Sequence, residues 1–327
     1  MAPRATPVRP LIDDRLAAML GLIDQADTVE LKLTVPETNQ RSAVRALGMD
    51  PLEAQIRQVF FFDTPDLALD KAGLVVRARR VQGRGDDTVV KLRPVVPDEL
   101  PKGVRDHPSF GVEVDAMPGG FVCSGSMKAA LGSGDGVKAV VAGERPLRKL
   151  LTKEQRALFA DHAPEGVTLD DLVILGPIPV FKLKLAPKDL GRKLVVELWL
   201  YPDGSRIVEL STKCLPPEAI MVALQAKQYL TAKGVDLSGH QQTKTRTALN
   251  FFTKEIRAAI AAGEKAARAG EAAAEKAAPA PRKPAAPRKA ATPRKTAARK
   301  TAAPRKTATA ARKTTARARP AAPPADR

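Results

Sequence analysis

Alternation of charged and apolar residues, repeated in one short segment after another, is the feature that most constrains the fold of this chain. In TVELKLTV (residues 28–35) every second residue is apolar, and Glu30 and Lys32 lie between the apolar positions. A period of two is typical of a β-strand with one apolar face. Seven further segments repeat the pattern, so we expect eight strands, the others being 58–64, 74–81, 86–95, 109–117, 179–186, 193–204 and 205–213.

Helical patterns precede, interrupt and follow these strands. Segments 11–24, 217–233 and 243–262 have helical periodicity, and residues 118–176 begin Gly-rich and then become helical. Consecutive strands such as the pair joined at Asp203–Gly204 are expected to form hairpins, which makes most neighbours antiparallel. The prediction is a β-rich α+β fold whose long sheet curls or closes.

The polar faces of these strands are almost entirely charged. If the apolar faces point inward, the charges simply meet water, which is the commoner arrangement. If the charged faces line an interior, the crowded charges need a counter-charge. A polyanion bound with a divalent cation would supply it. The residues alone leave both arrangements open. The cations are Lys32, Arg77, Arg79, Lys91, Arg93, Lys182, Lys184 and Lys213, and the carboxylates are Glu30, Glu113, Asp115, Glu197 and Glu209.

Four motifs, in order, resemble those of the CYTH family, the triphosphate tunnel metalloenzymes. They are TVELKLTV, FFFDTPDLALDKAGLVVRARR, TVVKLRP and LVVELWLYPDGSRIVELSTK. The family includes class IV adenylyl cyclases, thiamine triphosphatases and inorganic tripolyphosphatases. Its hallmarks are an ExExK strand, an Arg-x-Arg strand and late acidic strands. The resemblance covers roughly residues 26–115 and 178–250. It implies an eight-stranded antiparallel barrel with a charged tunnel, covered by the helices.

The resemblance also implies a role for each charged position. Glu30 and Lys32 would be catalytic, and Glu30 would also bind the metal, Mg²⁺ or Mn²⁺. The other implied metal ligands are Glu197 and Glu209, with Glu113 and Asp115 as further acids. The implied phosphate-binding residues are Arg77, Arg79, Lys91, Arg93, Lys182, Lys184 and Lys213.

Three positions depart from the family pattern. Thr28 replaces the first acid of ExExK and so removes one implied metal ligand. Phe62 stands where the family has Tyr, and Val89 stands where it has Thr.

The resemblance implies hydrolysis of a triphosphate or short polyphosphate. Basic side chains would hold the phosphates while water attacks the terminal phosphorus, a reaction that depends mostly on positioning and charge neutralisation. The alternative is an adenylate cyclase that makes cyclic AMP from ATP, which requires a purine pocket that no motif identifies. A second alternative is a catalytically inactive phosphate- or polyphosphate-binding module, with Thr28 marking the loss of activity.

The end of the chain has a different composition. Residues 277–327 contain 15 Lys or Arg and one acid, and so carry most of the net charge of +18. Arg-Lys pairs recur every five to seven residues among Ala, Pro and Thr, a composition that cannot form a core. This segment resembles the tails of linker histones and bacterial histone-like proteins. It is expected either to bind nucleic acid or polyphosphate through counterion release or to serve mainly solubility.

Three regions follow from these patterns. We expect an N-terminal helical segment (1–25), a tunnel domain (26–262) and a disordered basic tail (263–327). The tunnel domain contains a helical insertion (118–176) that is long enough to cap one tunnel mouth.

The cellular compartment is predicted from absences in the sequence. No apolar run has the length of a signal peptide or a membrane span. Cys123 and Cys214 lie 91 residues apart without a metal-binding spacing. We therefore expect a cytoplasmic protein with reduced thiols, no zinc site and no membrane partner. Its basic tail would favour association with the nucleoid.

Overall fold

The computed structural model describes residues 14–132, 135–236, 241 and 244–277, and those up to Ala273 belong to one compact unit. Nine strands close into a barrel in the order β1-β5-β6-β4-β3-β2-β7-β8-β9, with β9 paired to β1. The strands are β1 (Thr28–Val35), β2 (Gln55–Asp63), β3 (Leu74–Val81), β4 (Asp87–Leu92), β5 (Phe110–Met117), β6 (Gly120–Ala130), β7 (Val173–Leu185), β8 (Leu194–Leu200) and β9 (Arg206–Cys214).

Eight α-helices accompany the strands in the described part of the chain. The last helix continues well past its predicted end at residue 262, and the basic tail beyond residue 277 lies outside the described residues. None of the described helices is long and apolar enough to cross a membrane. The helices are α1 (Asp14–Asp24), α2 (Gln40–Ala46), α3 (Ala68–Lys71), α4 (Lys102–Arg105), α5 (Gly136–Val141), α6 (Lys153–His162), α7 (Ala219–Ala232) and α8 (Lys244–Ala277).

The prediction of eight antiparallel strands is wrong, because the segment expected to be a helical insertion begins with a strand. Residues 120–130 form β6, which pairs antiparallel with both β4 and β5. Strand direction cannot alternate all the way round a closed barrel that has an odd number of strands. One neighbouring pair must therefore be parallel, and that pair is β1 and β5.

The charged faces line the interior of the barrel, as the resemblance implied. Cross-strand pairing places Lys213 opposite Glu30 on β1, Glu209 opposite Glu197, and Lys182 opposite Glu197. Residues directly opposite one another lie on the same face of a sheet, so these side chains share the inner face. A shift of one residue would exchange the two faces, and the apolar outer face fixes the register.

The insertion braces the outer wall of the barrel. Leu158 and Phe159 of α6 belong to the same buried apolar cluster as the outward-facing strand residues. Gln155 is fully buried: it accepts a hydrogen bond from Thr88 Oγ1 (2.9 Å) and donates to the backbone oxygens of Thr88 and Met127 (both 3.1 Å). Helix α6 thus packs on the outer wall, and the expectation that the insertion caps a tunnel mouth stays a prediction.

Helix α8, instead, fills one end of the interior. Ala248, Leu249 and Phe252 are buried and pack in one apolar cluster with Phe61 and Ile178. Phe61 and Ile178 belong to the inner face of β2 and β7, as their register shows. The interior is thus apolar where α8 enters and charged elsewhere.

Candidate active site in the barrel interior

Three carboxylates from β1 and β5 converge in the interior. The parallel pairing sets Glu30 beside Asp115 and Thr28 beside Glu113. One oxygen each from Glu30, Glu113 and Asp115 lies within 4.8 Å of the other two. We call these three residues the three-acid cluster. Oxygen donors grouped in this way are the ligands that Mg²⁺ and Mn²⁺ prefer.

The side chains of two lysines pair with the three-acid cluster and neutralise part of its charge. Lys32 Nζ lies 2.6 Å from Asp115 Oδ1 and 3.2 Å from Glu30 Oε2. Lys213 forms an ion pair with Glu113 and lies 3.8 Å from Glu30. Burial opposes ionisation of Glu30, but Lys32 and Lys213 outweigh it and lower its pKa. Although burial opposes it, Asp115 and Glu30 raise the pKa of Lys32.

Asp115 lies at the centre of the charged side chains, with its side chain only 1% exposed. Lys91 Nζ and Arg93 Nη2 approach Asp115 Oδ2 at 3.8 and 3.6 Å. Burial would raise the pKa of Asp115, but Lys32 and Lys91 lower it to about 2. Lys32 is the close partner of Oδ1, whereas cations of the described residues approach Oδ2 no nearer than 3.6 Å. Oδ2 therefore keeps lone pairs that a metal could use, so the three-acid cluster fits a divalent cation.

A second acidic pair lies on β8 and β9 and is bound by two lysines. Lys244 Nζ lies 2.6 Å from Glu197 Oε2 and 2.7 Å from Glu209 Oε1. Lys182 Nζ contacts the other oxygen of Glu197 at 3.0 Å. Burial opposes ionisation of Glu197, but Lys244 and Lys182 lower its pKa well below the usual range. Both carboxylates already have an ammonium as counter-cation.

Three arginines form the most basic part of the interior. Arg79 makes two 2.8 Å hydrogen bonds to Asp87. Arg57 donates to Gln55 Oε1 at 2.7 and 3.1 Å. Arg77 is half-buried near both, and its buried Nε has no hydrogen-bond partner among the described residues. Burial, with the neighbouring Arg79, lowers the pKa of Arg77 to about 10, so it remains charged at neutral pH.

These side chains leave the interior with a surplus of positive charge. In the described part of the chain, nine cations in contact with this interior face six carboxylates, and a partly dehydrated surplus of this kind favours a bound polyanion. The cations are Lys32, Arg57, Arg77, Arg79, Lys91, Arg93, Lys182, Lys213 and Lys244, and the carboxylates are Glu30, Asp87, Glu113, Asp115, Glu197 and Glu209.

Most of the predicted site residues come together in the interior. Lys184 is the exception, because it lies exposed near the end of β7. The sequence patterns missed three interior residues. Arg57 and Asp87 continue the alternation of β2 and β4 and could have been found by extending it. Lys244 begins a helix, and no periodicity indicates that it reaches the barrel interior.

No protein-family model and no curated protein matches the chain. Solved structures give weak similarities. A candidate adenylate cyclase from Bacillus halodurans has 12% identity and a TM-score of 0.47, covering 67% of this chain and 98% of its own. A proposed adenylyl cyclase from Hippeastrum, with a dominant triphosphatase activity, has 18% identity and a TM-score of 0.45. The match covers 65% of this chain and 91% of the Hippeastrum chain. A candidate adenylate cyclase from Vibrio parahaemolyticus has 9% identity and a TM-score of 0.36, covering 68% of this chain and 97% of its own. Similarities at this level carry no argument about this chain, so its function must be inferred from its own site.

Proposed function

We propose that the chain is a phosphohydrolase of the CYTH family that acts on a triphosphate or a short polyphosphate with Mg²⁺ or Mn²⁺. Arg77 carries the proposal. Its Nε is buried without a hydrogen-bond partner among the described residues, an arrangement that is costly, and a bound anion removes that cost. Phosphate oxygens suit the planar fork of an arginine. A phosphate chain is also the ligand that the surplus of positive charge favours.

The basic side chains would divide the work of holding the phosphates. Arg77 and Arg79 would hold one phosphate group from β3. Lys91 and Arg93 would contact phosphate beside the three-acid cluster, and Lys182 would do so from the opposite wall. The remaining predicted phosphate ligands, Lys184 and Lys213, are exposed and would draw the anion in by long-range attraction.

The three-acid cluster would hold the divalent cation, which would supply charge neutralisation at the phosphoryl oxygens. Lys32 contacts two of these acids and is the side chain best placed to contact a terminal phosphate or to orient the attacking water. Lys213 is half exposed, so it can leave Glu113 when another cation binds. Glu30 and Lys32 thereby keep the catalytic roles that the resemblance implies.

The full-length chain tests the proposal directly. It is incubated with Mg²⁺ or Mn²⁺ and tripolyphosphate, ATP, thiamine triphosphate or short polyphosphate, and phosphate, pyrophosphate and cyclic AMP are assayed. We expect phosphate release that Arg77→Met abolishes and that Arg41→Met, a change at an exposed arginine of α2, leaves intact. Cyclic AMP with pyrophosphate would instead establish the adenylate cyclase alternative.

A second candidate function, an inactive phosphate-binding module, is favoured by one observation. All six interior carboxylates already pair with a lysine or arginine, and a metal must displace such partners before it can bind. An inactive module would bind tripolyphosphate, and Arg77→Met would weaken that binding, yet no product would form with either cation. Calorimetry beside the product assays separates this outcome from an enzyme.

A further inference from the structure

Lys244 is held rigidly between two acids of the barrel interior. Its ammonium lies 2.6 Å from Glu197 and 2.7 Å from Glu209, and 5.1 Å from the centre of the Trp199 ring. The hydroxyl of Tyr201 donates to its backbone oxygen at 3.1 Å. The side chain is only 16% exposed.

The two acids need a cation between them. Glu197 and Glu209 are direct cross-strand neighbours, and like charges in such positions repel. In a partly dehydrated interior the repulsion must be compensated by an opposite charge. A divalent cation is one solution, and the ammonium of Lys244 is the solution present in this fold. Burial would lower the pKa of Lys244, but Glu197 and Glu209 raise it, so the ammonium persists.

Helix packing prevents Lys244 from leaving easily. Ala248 and Leu249, one turn further along α8, are almost completely buried in the apolar end of the barrel. These contacts fix the start of α8, so the ammonium of Lys244 can leave the two acids only by rotation of its own side chain, away from both counter-charges. Lys213 at the three-acid cluster differs, because its side chain is 52% exposed and can move into water. Lys32 at the three-acid cluster is as buried as Lys244 (14% and 16% exposed), so the difference lies in Lys213: the three-acid cluster has a lysine partner that can move into water, and the pair Glu197 and Glu209 has none among the described residues.

We infer that the pair Glu197 and Glu209 is not a metal site in this chain, because Lys244 is its built-in cation. The interior then binds a single divalent cation, at the three-acid cluster. This differs from the ligand set that the family resemblance implies, in which both late acids complete the metal site. Removing the charge of Lys244 converts the pair into a second site. The inference shares the three-acid cluster with the proposed function but does not require turnover.

Counting bound Mn²⁺ on the metal-free, full-length protein tests the inference. Lys244→Met keeps an unbranched side chain beside Trp199 and removes the charge. Lys254→Met, at an exposed position of α8, is the matched control. We expect one Mn²⁺ per chain for the unmodified protein and for Lys254→Met, and two for Lys244→Met. Two ions on the unmodified protein, or no additional ion on folded Lys244→Met, would overturn the inference.

A second variant keeps the test decisive if Lys244→Met does not fold. Glu209→Gln in the otherwise unchanged chain should leave the number and affinity of bound Mn²⁺ unchanged, since Glu209 is not a ligand. A tenfold or greater loss of affinity would contradict the inference. The Mn²⁺ counts also distinguish a failure of this inference from a failure of the proposed function. If the unmodified protein binds no Mn²⁺ and Lys244→Met binds one, metal-dependent hydrolysis fails together with the single site at the three-acid cluster, while the conclusion that Lys244 excludes a metal from Glu197 and Glu209 stands. No binding by either overturns both.

Discussion

Thr28 Oγ1 lies 3.3 Å from Glu113 Oε2, because the parallel pairing of β1 and β5 sets the two residues side by side. Thr28 stands where the family resemblance implies an acid. Glu113 brings a carboxylate from the neighbouring strand to within 4.8 Å of oxygens of Glu30 and Asp115. The acid that β1 lacks is thus supplied by β5. The substitution at Thr28 does not, by itself, leave the site one carboxylate short.

The first prediction concerns Glu113. Glu113→Gln keeps the shape of the side chain and removes its charge, so Mn²⁺ affinity should fall by about tenfold or more, as for other changes at metal-site residues. Thr28→Val removes only a long hydrogen bond and should have little effect. The measurement is a Mn²⁺ titration of each variant. Glu154→Gln, on the exposed face of α6, is the matched control. Unchanged affinity in Glu113→Gln would show that this carboxylate does not bind the metal.

The second prediction is that replacing Arg77 weakens anion binding without lowering the stability of the fold. Arg77→Met removes a half-buried charge whose buried Nε lacks a partner among the described residues, so the free energy of unfolding should stay constant or rise by about 1–4 kcal/mol. Tripolyphosphate affinity should fall about tenfold to a hundredfold, the usual value of charge-assisted hydrogen bonds. Denaturant unfolding and calorimetry measure the two effects.

Arg79→Met provides the contrast for that prediction. It leaves Asp87 without its two 2.8 Å hydrogen bonds, so it should lower stability as well as affinity. If Arg77→Met destabilises the protein as much as Arg79→Met does, Arg77 has a structural role instead of a role in anion binding.

The third prediction is a pH dependence that Lys91 imposes on anion binding. Burial lowers the pKa of Lys91 to about 8, with Lys32 and Arg93 acting in the same direction and Asp115 and Glu113 opposing them. Below about pH 8 the amine is protonated before and after binding, so it causes no pH dependence.

Above about pH 8 the amine of Lys91 is mostly neutral, so it must take up a proton when a phosphate binds. Tripolyphosphate affinity of the metal-free protein should then fall by at most about tenfold per pH unit. Lys91→Arg, which remains protonated, should lose this contribution. Because both proteins share the titration of the ligand, the difference between their affinity profiles isolates Lys91. Parallel profiles from pH 7 to pH 10 would contradict the assignment.

Alternation made most of the barrel predictable. Period two identified eight of the nine strands and grouped Glu30, Lys32, Arg77 and Arg79 on one face. It could not say whether that face points inward, because an outward charged face gives the same pattern. The family resemblance decided that question, and the burial of the charged side chains, with Asp115 1% and Glu209 7% exposed, confirms it.

The missing strand and the missing lysine have different physical causes. β6 is rich in small residues, and Gly125 is needed there, because a Cβ at this position would lie 2.4 Å from the Phe110 ring. A close approach of this kind depends on a residue from another strand, so local propensity cannot reveal it. Lys244 reaches Glu197 from 47 residues along the chain, through the packing of α8. Tertiary packing sets that contact, not periodicity.

The fourth prediction concerns the basic tail beyond residue 277, which remains untested by the structure. We expect the full-length chain to bind DNA or polyphosphate with an affinity that falls steeply as salt rises, because each neutralised phosphate releases counterions. A chain that ends at Ala277, the last residue of α8, should bind far more weakly. Fluorescence anisotropy over a salt series measures both. Equal binding by the two chains would show that the tail serves solubility. Association with the nucleoid would then have no basis.

The fifth prediction tests whether the insertion stabilises the outer wall of the barrel or controls access to the tunnel mouth. Gln155→Ala would leave up to three hydrogen-bonding groups on β4 and β6 without their partner, at about 1–3 kcal/mol for each group left unsatisfied. The free energy of unfolding should therefore fall by at least about 1 kcal/mol, the lower cost of one unsatisfied group. Mn²⁺ and tripolyphosphate affinities of the folded protein should not change, because α6 lies on the outer wall. Lys153→Ala, exposed at the start of the same helix, should alter neither quantity. If Gln155→Ala instead changes tripolyphosphate affinity while leaving stability intact, the insertion reaches the tunnel mouth in solution and controls access to it.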